Sequence, residues 1–244
     1  MSTRRRILVT GASRGLGLSI ARSLLKGGDQ VIALSRQTST ELESLIESDP
    51  DSIRHVGFDL SECEQLTAEW FQQEVGQEQP LFGLVSNAAI AYDDLITNLQ
   101  LKPLEQLIRV NVSSPMMLTK LAIRQMLLHQ TQGSIVHVSS ISAHTGYKGL
   151  AMYAATKGAM EAFSKNTARE WGARKIRSNC VVPGFMETEM SASLDEQQKE
   201  RIYNRTALKE ATSLDSVAET VKYLLSDQSG SMTGQNVFVD SGTI

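Results

Sequence analysis

The chain has 244 residues, 41% of them hydrophobic, and a formal net charge of −3. That length suits one large core. The slightly acidic balance, with no basic block, argues against nucleic acid or an anionic membrane surface as a partner.

The start, Met1-Ser2-Thr3-Arg4-Arg5-Arg6, is basic like the head of a signal peptide. No apolar run of signal or membrane-spanning length follows, so a soluble cytoplasmic protein is expected. Ile7-Leu8-Val9 then reads as a buried strand ending in a glycine-rich turn. Gly15 to Lys26 has helical spacing, with Leu16, Ile20, Leu24 and Leu25 on one side and Gly27-Gly28 as its stop. Val31 to Leu34 is a second strand. Thr40-Glu41-Leu42-Glu43 has the pattern of a capping box and opens a short helix. Ile53 to Phe58 is a third strand, Glu64 to Val75 a helix, and Leu81 to Val85 a fourth strand. A helical stretch covers Leu101 to Gln130, with a fresh start at Ser114-Pro115. Ser134 to Val138 is a fifth strand, Met152 to Trp171 a helix, and Ile176 to Val182 a sixth strand. Val217, Val221, Leu224 and Leu225 mark another helix, and Asn236 to Val239 a last strand.

Strands alternating with helices predict one α/β domain over residues 1–244. The expected fold is a Rossmann-type, doubly wound parallel sheet of about seven strands with helices on both faces. The polar stretch 189–212 lacks a strong period and is expected to be a substrate flap.

Thr10-Gly11-Ala12-Ser13-Arg14-Gly15-Leu16-Gly17 lies between the first strand and the first helix. Its glycines let the backbone approach a pyrophosphate, while the helix start offers N–H donors. The same residues match G-x-S-x-G, the elbow of a hydrolase with Ser13 as nucleophile. That reading needs an oxyanion loop before the first strand and a late histidine, and no histidine follows His144. The second strand ends Leu34-Ser35-Arg36, without the acid that selects NAD. Arg36 and Arg14 suit a 2′-phosphate, which predicts NADP(H).

Tyr153 and Lys157 stand four apart on a predicted helix, about one turn. A neighbouring ammonium lowers a phenol's pKa and makes it a better proton donor. Taken alone, the spacing also fits a solvated helix face. His137, between Val136 and Val138, is expected to be a satisfied interior histidine, and His144 a loop residue near the substrate mouth. Cys63 and Cys180 lack metal-ligand spacing and fit buried structural roles in a reducing compartment. No catalytic metal is expected. The groups Met116-Met117 and Met126-Leu127-Leu128 read as core or subunit interface.

In order and spacing, the chain resembles the short-chain dehydrogenase/reductase family over essentially its full length. The residues that carry the likeness are Thr10-Gly11-x-x-x-Gly15-x-Gly17, Asp59, Asn87-Ala88-Ala89, Asn111, Ser140, Tyr153-x-x-x-Lys157 and Pro183-Gly184. Val182 to Met190 and the end, Met232 to Asp240, are most similar to the 3-oxoacyl-[acyl-carrier-protein] reductases. The resemblance implies that Tyr153 gives a proton to the substrate oxygen and that Ser140 hydrogen-bonds the carbonyl. It implies that Lys157 holds the nicotinamide ribose and lowers the Tyr153 pKa, and that Asn111 supports a water linking Lys157 to solvent. It assigns cofactor contacts to Gly11, Ser13, Arg14, Gly15, Leu16, Gly17, Arg36, Asp59, Leu60, Asn87, Ala88, Pro183, Gly184, Met186 and Thr188, with Tyr153 and Lys157.

Three positions depart from the family pattern. Ala89 stands where glycine is usual and carries strain if its φ is positive. Ser241 replaces another glycine. Of two arginines that grip an acidic carrier near the site entrance, Arg174 matches one, but Thr131 occupies the other position.

The expected function is NADPH-dependent reduction of a ketone to an alcohol. By resemblance the substrate is a 3-oxoacyl thioester on an acyl carrier protein, as in fatty-acid or polyketide-type synthesis. A carbonyl reductase or alcohol dehydrogenase for a free ketone is the alternative. A non-catalytic nucleotide-binding subunit is a third reading. The resemblance also implies a homotetramer pairing the helices at Pro115 to Gln130 and Met152 to Trp171.

Overall fold

The computed structural model describes residues 4–76, 79–188, 191 and 194–244. The apolar runs become β1 (Arg6–Thr10), β2 (Gln30–Ser35), β3 (Ile53–Gly57), β4 (Leu81–Ser86), β5 (Gly133–Val138), β6 (Ile176–Pro183) and β7 (Asn236–Val239). Between them run α1 (Gly15–Lys26), α2 (Thr40–Ser48), α3 (Ala68–Phe71), α4 (Leu101–Ile108), α5 (Ser114–Leu128), α6 (Ala151–Trp171), α7 (Glu196–Tyr203) and α8 (Leu214–Leu225). All strand pairs are parallel, in the order β3-β2-β1-β4-β5-β6-β7. Chain order reverses between β1 and β4, which leaves a crevice at the carboxyl ends of the strands.

Alternation along each strand makes two cores from one sheet. Ile7 and Val9 point to one face, where they meet Val85, Val136, Val181 and the apolar sides of α1 and α8. Leu8 points to the other, with Ile32, Leu84 and Ile135 against Leu118, Ala122 and Met126 of α5. Sequence periodicity matches this burial because a parallel sheet covered on both faces has no wet side to encode.

Several local expectations differ from the structure. The cap of α2 is Ser39, whose Oγ accepts from the Leu42 N–H at 3.1 Å, and Thr40 is already helical. The expected helix over 64–75 breaks into a 3₁₀ turn, α3 and a π turn, because Thr67 Oγ1 accepts from the Trp70 N–H and restarts the helix there. Ser114-Pro115 is not a fresh start. The backbone stays helical from α4 through a π turn at Arg109–Ser113 into α5, and Ser114 Oγ donates instead to the Leu60 carbonyl. Pro115 has no N–H to give the Asn111 carbonyl four residues back, and the wider turn accommodates that loss. In the stretch 189–212, α7 forms behind an Asp195–Gln198 capping box, while residues 189, 190, 192 and 193 lie outside the described residues. Ala89 does not take a positive φ, whereas Ser241 does, at +55°. Cys180 is buried on β6, but Cys63 is only half-buried beside Glu64 and Arg109.

His137 is interior, as expected, but not satisfied. Among the described residues both ring nitrogens lack a hydrogen-bond partner, as does Ser86 Oγ on the neighbouring strand in register with it. The ring meets Phe163 of α6 edge-on at 5.9 Å. Burial, with the Lys157 charge nearby, pushes the imidazole down to about 3. The unfolded chain therefore takes up a proton on this side chain near pH 6.5, while the folded chain resists until about pH 3. The neutral histidine's contribution to stability is present above that window and lost as pH falls through it. Denaturant unfolding from pH 7 to 3 is expected to show a shallower acid limb for His137→Leu than for the wild type. Parallel limbs would refute the assignment.

Candidate active site

The carboxyl end of the sheet gathers residues from distant parts of the chain. Ser140 follows β5 in extended conformation and caps a 3₁₀ turn at Ile141–Ala143, its Oγ accepting from the Ser142 N–H at 3.2 Å. Its hydroxyl stands beside the phenol of Tyr153, near enough to favour the phenolate, and Tyr153 lies half-buried in the first turn of α6. One turn on, Lys157 is buried, with Nζ 5.5 Å from the Tyr153 ring centroid and donating to the Val138 carbonyl at 2.8 Å. Asn111 sits in the π turn. Its amide bonds both backbone groups of Ile90 at 2.9 Å and donates to Thr156 Oγ1 at 3.2 Å, and Thr156 in turn donates to the Tyr153 carbonyl. The Asn111 side chain is thus a brace between the loop after β4 and α6. π turns recur at functional sites, where they re-aim a residue without breaking the helix.

The electrostatics differ from the expectation that Lys157 makes Tyr153 more acidic. Burial pushes the phenol up to about 12. The Ser140 hydroxyl pulls against that, and the Asp93 carboxylate pushes further in the same direction as burial. Burial also lowers the Lys157 ammonium to about 8. Desolvation outweighs the charge contribution here because Nζ is turned to the Val138 carbonyl. At neutral pH the phenol is therefore protonated and can donate.

Opposite this group lies the glycine loop. Gly11 and Gly15 have φ of +66° and +53°, and α1 begins at Gly15 with no side-chain cap and no acid in its first turn. Among the described residues no side chain caps its first N–H groups, and the one atom within 4 Å of a Cβ built on Gly15 is Thr188 Cγ2, at 4.0 Å. That gap between loop and Thr188 is a cradle suited to a pyrophosphate. Asn87 Nδ2 donates to the Thr10 carbonyl at 3.0 Å, and Thr10 Oγ1 accepts from the backbone N–H groups of Asn87 and Ala88. Thr10 is thus the hub that joins β1 to β4 at the crevice. Asp59 Oδ1 accepts from the Ser61 N–H, Leu60 is buried, and Arg36 lies exposed after β2. Pro183 ends β6, the Gly184 N–H donates to the Val239 carbonyl, and Met186 packs on the first core.

Other candidates fall elsewhere. Among the described residues no histidine hydrogen-bonds the Ser13 hydroxyl, and His55 is committed to Ser35, so the hydrolase reading has no base. His144 does not stand free in its loop: its Nε2 is 2.9 Å from Glu161 Oε1 and its ring meets Phe238 edge-on. Arg174 is not at the entrance of this chain's site. It lies in the turn after the last residue of α6, so about 30 Å of helix separates it from Tyr153. Thr131, just before β5, is likewise at the opposite end of the sheet. Asp93, which bears on Tyr153, had no sequence signal, because a lone acid in a polar loop looks like any solvated side chain.

Fold and site together define an oxidoreductase that works on a CH–OH/C=O pair with a dinucleotide. A family model described as enoyl-(acyl carrier protein) reductase matches residues 11–243. The chain belongs to the short-chain dehydrogenase/reductase family. It is 35% identical over 240 residues to D-erythrulose reductase of Gallus gallus, covering 98% of this chain and 95% of that one. It is 34% identical over 239 residues to carbonyl reductase [NADPH] 2 of Sus scrofa, covering 97% and 95%. The 3-oxoacyl-[acyl-carrier-protein] reductase of Rickettsia conorii is 32% identical over 237 residues, with the same coverage. A crystal structure of a gluconate 5-dehydrogenase from Burkholderia cenocepacia with NADP and tartrate superposes with a TM-score of 0.89 at 27% identity, over 98% of this chain and 94% of that one.

Proposed function

We propose that the protein reduces a free, hydroxylated ketone to the alcohol with NADPH, Tyr153 giving the proton. The observation that carries this is the meeting of Ser140, Tyr153 and Lys157 at the mouth of the crevice, across from the glycine loop. Gly11, Ser13, Arg14, Gly15, Leu16 and Gly17 would hold the pyrophosphate, and Arg36 with Arg14 the 2′-phosphate. Asp59 and Leu60 would flank the adenine, and Asn87 and Ala88 the ribose. Pro183, Gly184, Met186 and Thr188 would line the nicotinamide end, with Tyr153 and Lys157. Bound there, NADPH supplies the hydride. Ser140 hydrogen-bonds the ketone oxygen and Tyr153 protonates it. The phenol gives up its proton because a developing alkoxide is more basic than a phenolate, and Lys157 compensates the charge left on Tyr153.

Two features support a free ketone over a carrier thioester. The Asp93 carboxylate beside Tyr153 suits the hydroxyls of a polyhydroxy substrate, and the relatives named for D-erythrulose and carbonyl reduction are somewhat more similar than the carrier-protein reductase. The second reading, a 3-oxoacyl thioester on an acyl carrier protein, rests on that reductase and on the exposed Arg174, which at its distance would serve the site of another copy. Intact Ser140, Tyr153 and Lys157 speak against a non-catalytic subunit. A homotetramer is part of the proposal: Leu101, Ile108 and Leu128 of α4 and α5 are exposed apolar side chains that a neighbouring copy would cover. Two free cysteines fit the cytoplasm. No helix among the described residues is long and apolar enough to cross a membrane.

The test is NADPH oxidation with small hydroxyketones, with 3-oxoacyl groups on carrier protein, and with the same groups on small thioester mimics. Turnover of the hydroxyketones, at least about tenfold more efficient with NADPH than with NADH, is the expected result. A strong preference for the carrier-bound substrate would replace this reading by the second.

A further inference from the structure

One buried carboxylate outside the catalytic group ties the site together. Glu161 lies one turn beyond Lys157 on α6 and is 6% exposed. Its Oε1 accepts from the Ser139 hydroxyl and stands 2.9 Å from His144 Nε2, which donates to it. Its Oε2 accepts from Asn236 Nδ2 on β7 at 2.6 Å. Packing at this position needs no charge, and a carboxylate this deep is retained only where its acceptor sites are filled.

The two groups held by Oε1 flank Ser140 in the chain. Ser139 precedes it and is the last residue bonded to the sheet, its N–H donating to the Val181 carbonyl at 2.8 Å. His144 is four residues further on, after the 3₁₀ turn that Ser140 caps. Fixing both flanks fixes the peptide planes from which the Ser140 hydroxyl projects toward Tyr153. It also anchors the start of the loop between Ser140 and α6.

We infer that Glu161 is a positioning residue for the reaction: its carboxylate clamps Ser139 and His144 and thereby holds the Ser140 hydroxyl and the loop at the substrate mouth in register with Tyr153. The inference deepens the proposed function and rests on it for its kinetic consequence. The clamp itself can be read without turnover.

The test compares wild type with Glu161→Ala, Glu161→Gln and Ser139→Ala. In hydrogen exchange, Glu161→Ala is expected to raise exchange across 139–150 while the β1 and β4 amides keep their protection. In kinetics, kcat falls on the order of tenfold to a hundredfold with little change in NADPH affinity, the effect of a misplaced reacting group. Glu161→Gln rescues most of the loss, because Asn236 can turn its amide and present Oδ1, which has no partner among the described residues, to the new N–H₂. Ser139→Ala, which removes one bond and leaves the carboxylate its other two, gives an intermediate kcat and serves if Glu161→Ala does not fold. Unchanged exchange across 139–150 in Glu161→Ala, or kcat within twofold of wild type in both Glu161→Ala and Ser139→Ala, overturns the inference. Absence of turnover in the wild type counts against the proposed function alone, since the exchange arm still decides the clamp.

Discussion

Replacing Tyr153 with phenylalanine is expected to lower kcat/KM for ketone reduction by at least about a thousandfold and to leave NADPH affinity within about twofold. The change removes one oxygen. The ring stays in the first turn of α6, and Lys157 keeps its bond to the Val138 carbonyl, so the helix and its neighbours have no reason to move. What disappears is the phenol that stands beside Ser140 and is protonated at neutral pH. Ser140 remains able to polarise a carbonyl oxygen, since its bond from the Ser142 N–H uses a lone pair and leaves its own O–H to donate, but an aliphatic hydroxyl is a far weaker acid than a phenol. Steady-state rates with a fluorescence titration of NADPH separate the two effects. Activity within threefold of wild type would mean that the proton comes from elsewhere.

Gly17→Ala is expected to abolish cofactor binding through sterics alone. A Cβ at this position would lie 2.0 Å from the Gly11 carbonyl oxygen and 2.7 Å from Asn87 Nδ2. The first contact is with backbone, and that backbone is pinned: the Gly11 N–H donates to the Leu34 carbonyl at 2.8 Å. Asn87 is pinned as well, through Thr10. Relief requires the whole turn between β1 and α1 to open, at a cost of about 1–3 kcal/mol or more in stability. The same movement spoils the N–H groups that would face a pyrophosphate, so NADPH affinity should fall by at least about a hundredfold, roughly 2.7 kcal/mol. Gly15→Ala is the control, for stability alone. Its Cβ meets no atom of the described residues closer than 4.0 Å and carries only the strain of φ +53°, about 1 kcal/mol. It would stand in the cradle proposed for the pyrophosphate, so its NADPH affinity is expected to fall without the loss of packing. Urea unfolding and NADPH titration of both variants check this. A Gly17→Ala protein that binds NADPH like the wild type would contradict the packing.

The strands were legible in the sequence because a sheet buried on both faces is written as short apolar runs, and the glycine loop because a close backbone approach tolerates few residues. That Ser140, Tyr153, Lys157 and Asn111 come together at one end of the sheet was legible through the order and spacing that carry the family resemblance. Other features were not, for specific reasons. Ser114-Pro115 has the same letters whether it starts a helix or ends a π turn; what decides is that Asn111 is held by Ile90 and Thr156 from outside the helix. Ser39 and Thr40 are both good caps, and only the backbone at Ser39 is extended. The Tyr153 phenol depends on a balance between burial and charge that a spacing of four residues cannot weigh. Arg174 was placed near the site because sequence likeness carries no distance, and one long straight helix puts it far away. His137 looked satisfied because most interior histidines are, yet its neighbours across the sheet are Ser86 and Cys180, and neither bonds it.

The account stands on hydride transfer to a ketone in this crevice. The direct measurement is incubation of the wild-type protein with NADPH deuterated on the transferring face of its nicotinamide and a small hydroxyketone, followed by mass spectrometry of the product. One deuterium on the carbinol carbon of the alcohol, absent with the Tyr153→Phe protein, is the predicted result. Tight NADPH binding with no deuterium in the alcohol from any free ketone or 3-oxoacyl thioester would contradict it.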